Sequence, residues 1–95
     1  MQTFMYTIYD VKAKAYLMPI FMATDAIAVR SFSNAINQEG HQFNINPEDY
    51  TLHRIGLFDD ETAQLQTSDP ELIISGLQAL NTSAIKNPHL EAVNK

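Results

Sequence analysis

Three consecutive carboxylates, Asp59, Asp60 and Glu61, have the chemistry of a metal-binding site. Carboxylate oxygens are the ligands that Ca²⁺ prefers, but this cluster lacks the further spaced ligands and the glycine of a calcium-binding loop. Aspartate also favours turns, because its carboxylate accepts a hydrogen bond from the backbone N–H two residues on. The sequence therefore predicts a solvated tip between two strands and no metal site.

The histidines and serines show no catalytic or metal-binding spacing. His41, His53 and His89 are far apart, and none belongs to an HxxxH or HExxH pair, so no zinc site is predicted. No serine lies in a GxSxG turn, the three glycines do not form a phosphate-binding loop, and the chain has no cysteine. We therefore expect a protein that is not an enzyme and needs no cofactor.

Aromatic and basic residues alternate in one short stretch, YDVKAKAY, which runs from Tyr9 to Tyr16. Lys12 and Lys14 lie between the two tyrosines, so a hairpin here would present stacking faces and positive charges together. Single-stranded nucleic-acid binding uses this combination. The competing interpretation is a strand edge that lysines protect from aggregation, with the tyrosines packed in the sheet.

The overall charge restricts any binding of nucleic acid. Eleven acidic residues against six basic ones give a net charge of −5. Phosphate binding depends on Lys and Arg side chains that release condensed counterions, so this balance opposes nonspecific affinity. Contact with DNA would have to be local, and Arg30 and Arg54 are the basic side chains expected to join the two lysines.

Length and composition predict one globular domain. The chain has 95 residues, of which 45% are hydrophobic and 18% charged, which is ordinary for a folded domain of this size. No apolar run is long enough to cross a membrane, and the first residues lack the pattern of a signal peptide. We expect residues 1–80 to form the domain and residues 81–95 to be a polar, frayed C-terminal tail.

Four strands are predicted from apolar and β-branched runs. Residues 3–9 alternate in type, and residues 16–22 form a second apolar run. Pro19 lies within the second run, which should therefore be an edge strand or carry a bulge, because proline cannot donate to the sheet. The third and fourth strands are predicted at about residues 51–58 and 62–67.

A first helix is predicted over residues 25–38. Thr24 is a favourable N-cap, Asp25 lies in the first turn, where the helix dipole favours a carboxylate, and Gly40 is a suitable end. The stripe expected against the sheet is Ala28, Val29, Phe32, Ala35 and Ile36, and the outward side is Arg30, Ser33, Asn34 and Asn37.

The rest of the chain is predicted to contain a loop and a second helix. Residues 41–50 read as a loop that Phe43 and Ile45 attach to the core. Ser68 and Glu71 have the spacing of a capping box, whereas Asp69 as the cap would place Pro70 at the first helical position, and either start predicts a helix here. Its buried side would consist of Leu72, Ile73, Leu77 and Leu80.

These elements predict an α+β fold in the order β-β-α-β-β-α, with a four-stranded antiparallel sheet and the 25–38 helix on one face. The 16–22 strand is apolar on both faces, whereas one helix covers only one face of a sheet. Uncovered apolar area often marks an interaction site, so we expect a homodimer.

Three stretches also resemble a known family. YTIYDVKAKAYLMPIFM, AVRSFSNAIN and NPEDYTLHRIGLFDDETAQL, in this order, are similar to the small nonstructural protein of gokushoviruses, small single-stranded DNA phages of the microvirus group. The resemblance covers about residues 4–66. It implies a non-capsid phage protein of the host bacterial cytoplasm that serves DNA replication or the switch to packaging of single-stranded DNA. It supplies no catalytic residues.

Two functions stay open at this point. One is binding of single-stranded DNA or of the replication complex. The other is a purely protein-binding adaptor or inhibitor, whose acidic surface would meet a basic patch on the phage replication initiator or a procapsid protein. Neither function involves a membrane.

Overall fold

The computed structural model describes residues 1–80 of the chain. The elements in chain order are β1 (Gln2–Asp10), β2 (Ala15–Tyr16), β3 (Ile20–Met22), α1 (Asp25–Ile36), α2 (Gln42–Ile45), a 3₁₀ turn (Pro47–Asp49), β4 (Tyr50–Asp59) and β5 (Gln64–Ser75). Residues 76–80 are helical. The fold is α+β with an antiparallel sheet, as the sequence predicts. The predicted tail, residues 81–95, lies outside the described residues.

The sheet has the order β2-β1-β4-β5, and β3 also pairs with β1 on the edge that β2 occupies. Pro19 lies between β2 and β3, at the edge and irregularity that the sequence predicts for it. Both backbone groups of Leu17, the first residue of this interruption, form hydrogen bonds with β1. Leu17 donates its N–H to the Ile8 carbonyl at 2.8 Å, and the Thr7 hydroxyl donates to the Leu17 carbonyl at 2.7 Å.

The strand β5 is longer than predicted, and the helix predicted from Ser68 is wrong. Residues 68–75 continue the strand, because β4 offers a long hydrogen-bonding edge that reaches back to Thr51. Pro70 lies where the register between the two strands shifts, between the pairs Gly56–Thr67 and Arg54–Glu71. A proline is tolerated at such an irregularity because no ladder N–H is needed there.

The capping box forms seven residues later than predicted. The Ser75 hydroxyl accepts a hydrogen bond from the Gln78 N–H at 3.1 Å, and the Gln78 side chain accepts one from the Ser75 N–H at 3.0 Å. These reciprocal bonds define a helix start at residue 76. Gly76 follows Ser75 where the chain is crowded, because a Cβ there would lie 2.0 Å from the Pro47 carbonyl oxygen.

The helix α1 covers one face of the sheet and completes the core. Thr24 caps it as predicted, since its hydroxyl accepts from the Ile27 N–H at 3.2 Å. The core consists of Tyr6, Ala28, Phe32, Ile36, Phe43, Tyr50, Leu52 and Ala79. The predicted inward stripe of α1 is therefore confirmed.

Some details around α1 differ from the prediction. The helix ends at Ile36, with Asn37 as its C-cap, and Ser33 is buried instead of outward. The predicted 41–50 loop contains two short helical turns. Phe43 packs in the core as expected, whereas Ile45 is 65% exposed because α2 turns it away.

A polar contact joins the start of α1 to the sheet. Tyr6 donates its hydroxyl to Asp25 at 2.5 Å, and Arg54 donates to the same carboxylate at 2.6 Å. Burial of the phenol, followed by the Asp25 carboxylate, raises the pKa of Tyr6, so the hydroxyl stays protonated and donates. The helix is thereby held on this face, and the opposite face of the sheet is left without a helix among residues 1–80.

Candidate nucleic-acid interface

The sheet face opposite α1 is called the open face below. Strand alternation places Tyr6, Phe4 and Ile8 in contact with the helical core, so their neighbours in β1 point to the other side. Cross-strand pairing extends that side over the sheet. The open face consists of Thr3, Met5, Thr7, Tyr9, Tyr16, Phe21, Thr51, His53, Gly56, Phe58, Leu65, Thr67 and Leu72.

One end of the open face carries the stretch singled out in the sequence, residues 9–16, called the basic hairpin. Tyr9 and Tyr16 are direct cross-strand partners, and their ring centroids lie 4.7 Å apart. Lys12 and Lys14 belong to the four-residue loop between them. The structure thus brings together all four residues that the sequence predicted to act as a unit.

Local hydrogen bonds shape the loop of the basic hairpin. The Asp10 carboxylate accepts from the backbone N–H of Lys12 at 3.0 Å and of Ala13 at 3.2 Å. Lys14 closes the loop with a φ of 56°, a left-handed conformation that is uncommon for a residue with a side chain. The turn is held by Asp10, so the side chains of the lysines have no part in forming it.

The two lysines are available for a ligand. Both are exposed, and neither forms an ion pair within residues 1–80. Two exposed ammonium groups beside two phenol rings can neutralise phosphates while bases stack on the rings. The competing interpretation, protection of an edge strand, is compatible with the same placement, since β2 is an edge strand.

The two arginines predicted as further phosphate contacts are not part of this end. Arg54 lies on the face that α1 covers, with its guanidinium 2.6 Å from Asp25 and 2.8 Å from Glu71. Its guanidinium carbon also lies 5.2 Å from the centroid of the Phe4 ring. Arg30 is exposed on α1, again on the opposite side of the sheet. Cross-sheet placement therefore separates both arginines from the basic hairpin.

His53 is a neighbour of the basic hairpin that the sequence did not indicate as part of it. It pairs with Thr7 in β1, and its ring lies 5.8 Å from that of Tyr16, edge to face. Its Nε2 is 2.8 Å from the Thr51 hydroxyl, whereas the buried Nδ1 has no hydrogen-bond partner among the described residues. Burial lowers the pKa of His53. The ring therefore extends the aromatic surface as a neutral group near neutral pH.

The other end of the open face carries the acidic tip, residues 59–61 in the turn between β4 and β5. The Asp59 carboxylate accepts from the Glu61 N–H at 2.9 Å, as the predicted turn requires. The Met1 ammonium lies 2.6 Å from Asp60 and offsets one of the three negative charges. Beside the tip is a cavity of about 430 Å³, which the sequence did not indicate, lined by Thr3, Phe21, Phe58, Asp60 and Leu65.

Within residues 1–80, no group of three or more acidic or histidine side chains is arranged to hold a metal ion. No helix in that part of the chain is long and apolar enough to cross a bilayer.

Residues 3–79 match the model of a protein family described as Phage ORF5 protein. The matched range includes the whole sheet apart from the first residue of β1. No curated protein and no solved structure matches the chain.

Proposed function

The chain belongs to the Phage ORF5 protein family, and from this premise we propose that it is a nonenzymatic phage accessory protein that binds single-stranded DNA. The role that follows is in viral DNA replication or in the switch to packaging of single-stranded DNA. The similarity of three stretches to the small nonstructural protein of gokushoviruses supports this placement, and the host bacterial cytoplasm is then the site of action.

The observation that carries the proposal is the composition of the basic hairpin. Tyr9 and Tyr16 form an aromatic pair at the base of a loop whose two lysines have no carboxylate partner within residues 1–80. Base stacking on an aromatic side chain contributes about 1–3 kcal/mol per base and tolerates any sequence. The lysines add the attraction to the backbone that an acidic protein otherwise lacks.

The number of available cations sets the expected dependence on salt. Four cations would give a slope of log K against log salt of about −3, since single strands contribute about −0.7 for each neutralised phosphate. Arg54 is held in ion pairs and Arg30 lies on the opposite side of the sheet. Two lysines remain, and the expected slope is about −1.4.

Fluorescence anisotropy of a labelled oligothymidine over a series of salt concentrations tests the proposal. We expect measurable affinity at low salt, and a nearly flat salt dependence with weaker binding for the double variant Lys12→Ala and Lys14→Ala. The matched control is Arg30→Ala, which removes an exposed cation from α1 and should leave both affinity and slope unchanged. No binding of the oligonucleotide at low salt, where electrostatic attraction is strongest, contradicts the proposal.

The second candidate is a purely protein-binding adaptor or inhibitor without DNA contact. The observation that favours it is the apolar cavity beside the acidic tip, which suits an apolar side chain of a basic partner. The replication initiator or a procapsid protein is the partner class that the gokushovirus resemblance implies. A pull-down of this protein from infected cells, with and without nuclease, separates the two candidates. A partner recovered in both cases supports the adaptor, whereas a partner lost on nuclease treatment supports DNA binding.

A further inference from the structure

The open face exposes large apolar side chains from one edge of the sheet to the other. Tyr16 and Phe21 belong to the β2 and β3 edge, whereas Leu65 and Leu72 belong to β5, and each is half or more exposed. Exposed apolar surface marks interaction sites on folded proteins when it is large. The helical elements of residues 1–80 pack on the opposite face and contribute no cover.

The two ends of the open face carry opposite charge. Lys12 and Lys14 lie beyond the last residue of β1, and the acidic tip lies beside the first, because Gln2 pairs with Asp59. The nine residues of β1 separate the two ends by about 30 Å, at about 3.3 Å per residue. With the Met1 ammonium beside Asp60, the acidic tip keeps a net charge opposite in sign to that of the basic hairpin.

We propose that a second copy of this chain covers the open face, with the strands of the two copies antiparallel. A two-fold axis between the sheets and across the strands brings the basic hairpin of each copy to the end of the sheet where the other copy carries its acidic tip, two strand spacings away, so the favourable charge attraction occurs twice. An axis along the strands would place like charges together. The charge pattern therefore selects the antiparallel arrangement.

The same rotation brings a side chain of the second copy to the apolar cavity. It keeps the order of the strands across the sheet, so β2 of one copy lies over the β3 end of the other. Tyr16 then lies over the side of the sheet where Phe21 and Phe58 help to line the cavity, and the sheets stack at about 10 Å, as in other aligned sandwiches. The second copy fills with an aromatic side chain the cavity that the first leaves open.

The size of the face indicates a reversible dimer. Four strands at about 4.8 Å give a width of about 15–20 Å, and the strands are about 30 Å long. The area buried by both copies falls at the lower end of the range for specific interfaces. Dimer formation should therefore depend on protein concentration.

Dimer formation would also cover Tyr9, Tyr16 and the two lysines. If the proposed function holds, single-stranded DNA and the second copy compete for the same surface, and DNA shifts the chain toward the monomer. This consequence rests on the proposed function, whereas the dimer itself does not.

Analytical ultracentrifugation of charge-reversed variants tests the arrangement. Variant A is Lys12→Glu with Lys14→Glu, and variant B is Asp60→Lys with Glu61→Lys. Each alone should dimerise about tenfold or more weakly than the wild type, because both contacts become repulsive. An equimolar mixture of A and B should recover the dimer, since both contacts are again between opposite charges. Circular dichroism confirms that each variant is folded.

Matched controls reverse charges on the covered side of the molecule. Arg30→Glu and Glu39→Lys change exposed residues on and just after α1 and should leave dimerisation unchanged. A monomer at every concentration overturns the proposal. Unchanged dimerisation of variants A and B also overturns it. So does an equimolar mixture that stays monomeric while both variants are folded. Addition of an oligothymidine to the wild type separately tests whether DNA competes with the dimer. If DNA does not shift the chain toward the monomer, the proposed function is contradicted, whereas recovery of the dimer in the A and B mixture still supports the dimer.

Discussion

The two tight hairpins of this protein have one backbone geometry and opposite chemistry. In each, an aspartate precedes a four-residue loop and accepts the N–H two residues on, Asp10 from Lys12 and Asp59 from Glu61. Each loop ends in a left-handed residue, Lys14 in one and Ala63 in the other, with φ of 56° and 63°. The register agrees too, since Tyr9 pairs with Tyr16 where Phe58 pairs with Leu65.

The comparison separates the residues that set the backbone of the turn from those that set its surface chemistry. The aspartate and the left-handed residue determine the backbone in both hairpins, so the remaining loop side chains are free to differ. One hairpin places lysines beside tyrosines, and the other places carboxylates beside apolar side chains. The two ends of the open face therefore differ in charge although their turns have the same backbone geometry.

The largest expected effect comes from removing the aromatic ring of Tyr16 in the basic hairpin. Truncation of the residue at the equivalent position of the acidic hairpin is the control. Tyr16→Ala should weaken binding of an oligothymidine by about 1–3 kcal/mol with little change in salt slope, because stacking is lost and the charges remain. Leu65→Ala alters the equivalent position of the acidic hairpin and should leave DNA affinity unchanged. Anisotropy at concentrations where the chain is monomeric checks both. Equal losses in the two variants would mean that the hairpins do not differ in function.

Removing the turn aspartates should cost both hairpins stability. Asp10→Ala and Asp59→Ala each lose hydrogen bonds to backbone N–H groups, at about 1 kcal/mol per bond. The loss should be greater for Asp10, whose carboxylate accepts two such bonds, whereas Asp59 accepts one from Glu61. Urea unfolding measures the difference, with Asp10→Asn and Asp59→Asn as controls that keep an acceptor oxygen. A larger loss at Asp59 would refute the ranking.

Glycine at the left-handed positions should stabilise both hairpins alike. Lys14→Gly and Ala63→Gly relieve a left-handed conformation that costs a residue with a Cβ about 1–2 kcal/mol. Glycine also loses more conformational entropy on folding, which offsets about 0.5–1 kcal/mol of this gain. A net gain of about 0.5 kcal/mol is expected in urea unfolding. Lys14→Gly should in addition reduce the salt slope of DNA binding, and Ala63→Gly should not. A loss of stability in both would show that the left-handed residues are not strained.

The smallest effect concerns pH and only the basic end. Burial lowers the pKa of His53 below its ordinary value of 6.5, so the folded state binds this proton less readily than the unfolded state. The corresponding stability is present above pH 6.5 and is lost as pH falls through the folded pKa. The free energy of unfolding in urea should fall over this pH range more for the wild type than for His53→Gln. The same pH dependence in both proteins would assign the effect to another group.

Much of the fold could be predicted from the sequence because its signals are local. The alternation in β1, the cap at Thr24 and the turn at Asp59 each depend on a few neighbouring residues, and all three appear in the structure. The helix predicted at Ser68 failed because two serines have the spacing of a capping box. Pairing with β4 selects the second, Ser75, and no local pattern records that pairing.

The candidate site divides in the same way. Tyr9, Lys12, Lys14 and Tyr16 lie within one hairpin, so their proximity follows from the turn. The structure places Arg54 apart from them, because its partners Asp25 and Glu71 are distant in sequence and come together only in the folded sheet. The cavity beside the acidic tip was missed for the same reason, since its lining comes from separate strands.

Chemical-shift mapping by NMR tests the central claim most directly. On titration of the wild-type protein with an unlabelled oligothymidine at low salt, perturbed backbone amides should cluster at residues 9–16 and around His53. The amides of the acidic tip, which has the same turn geometry, should stay unchanged under conditions that keep the chain monomeric. Perturbations centred on the acidic tip or on α1, or none at all, would contradict the assignment of DNA binding to the basic hairpin.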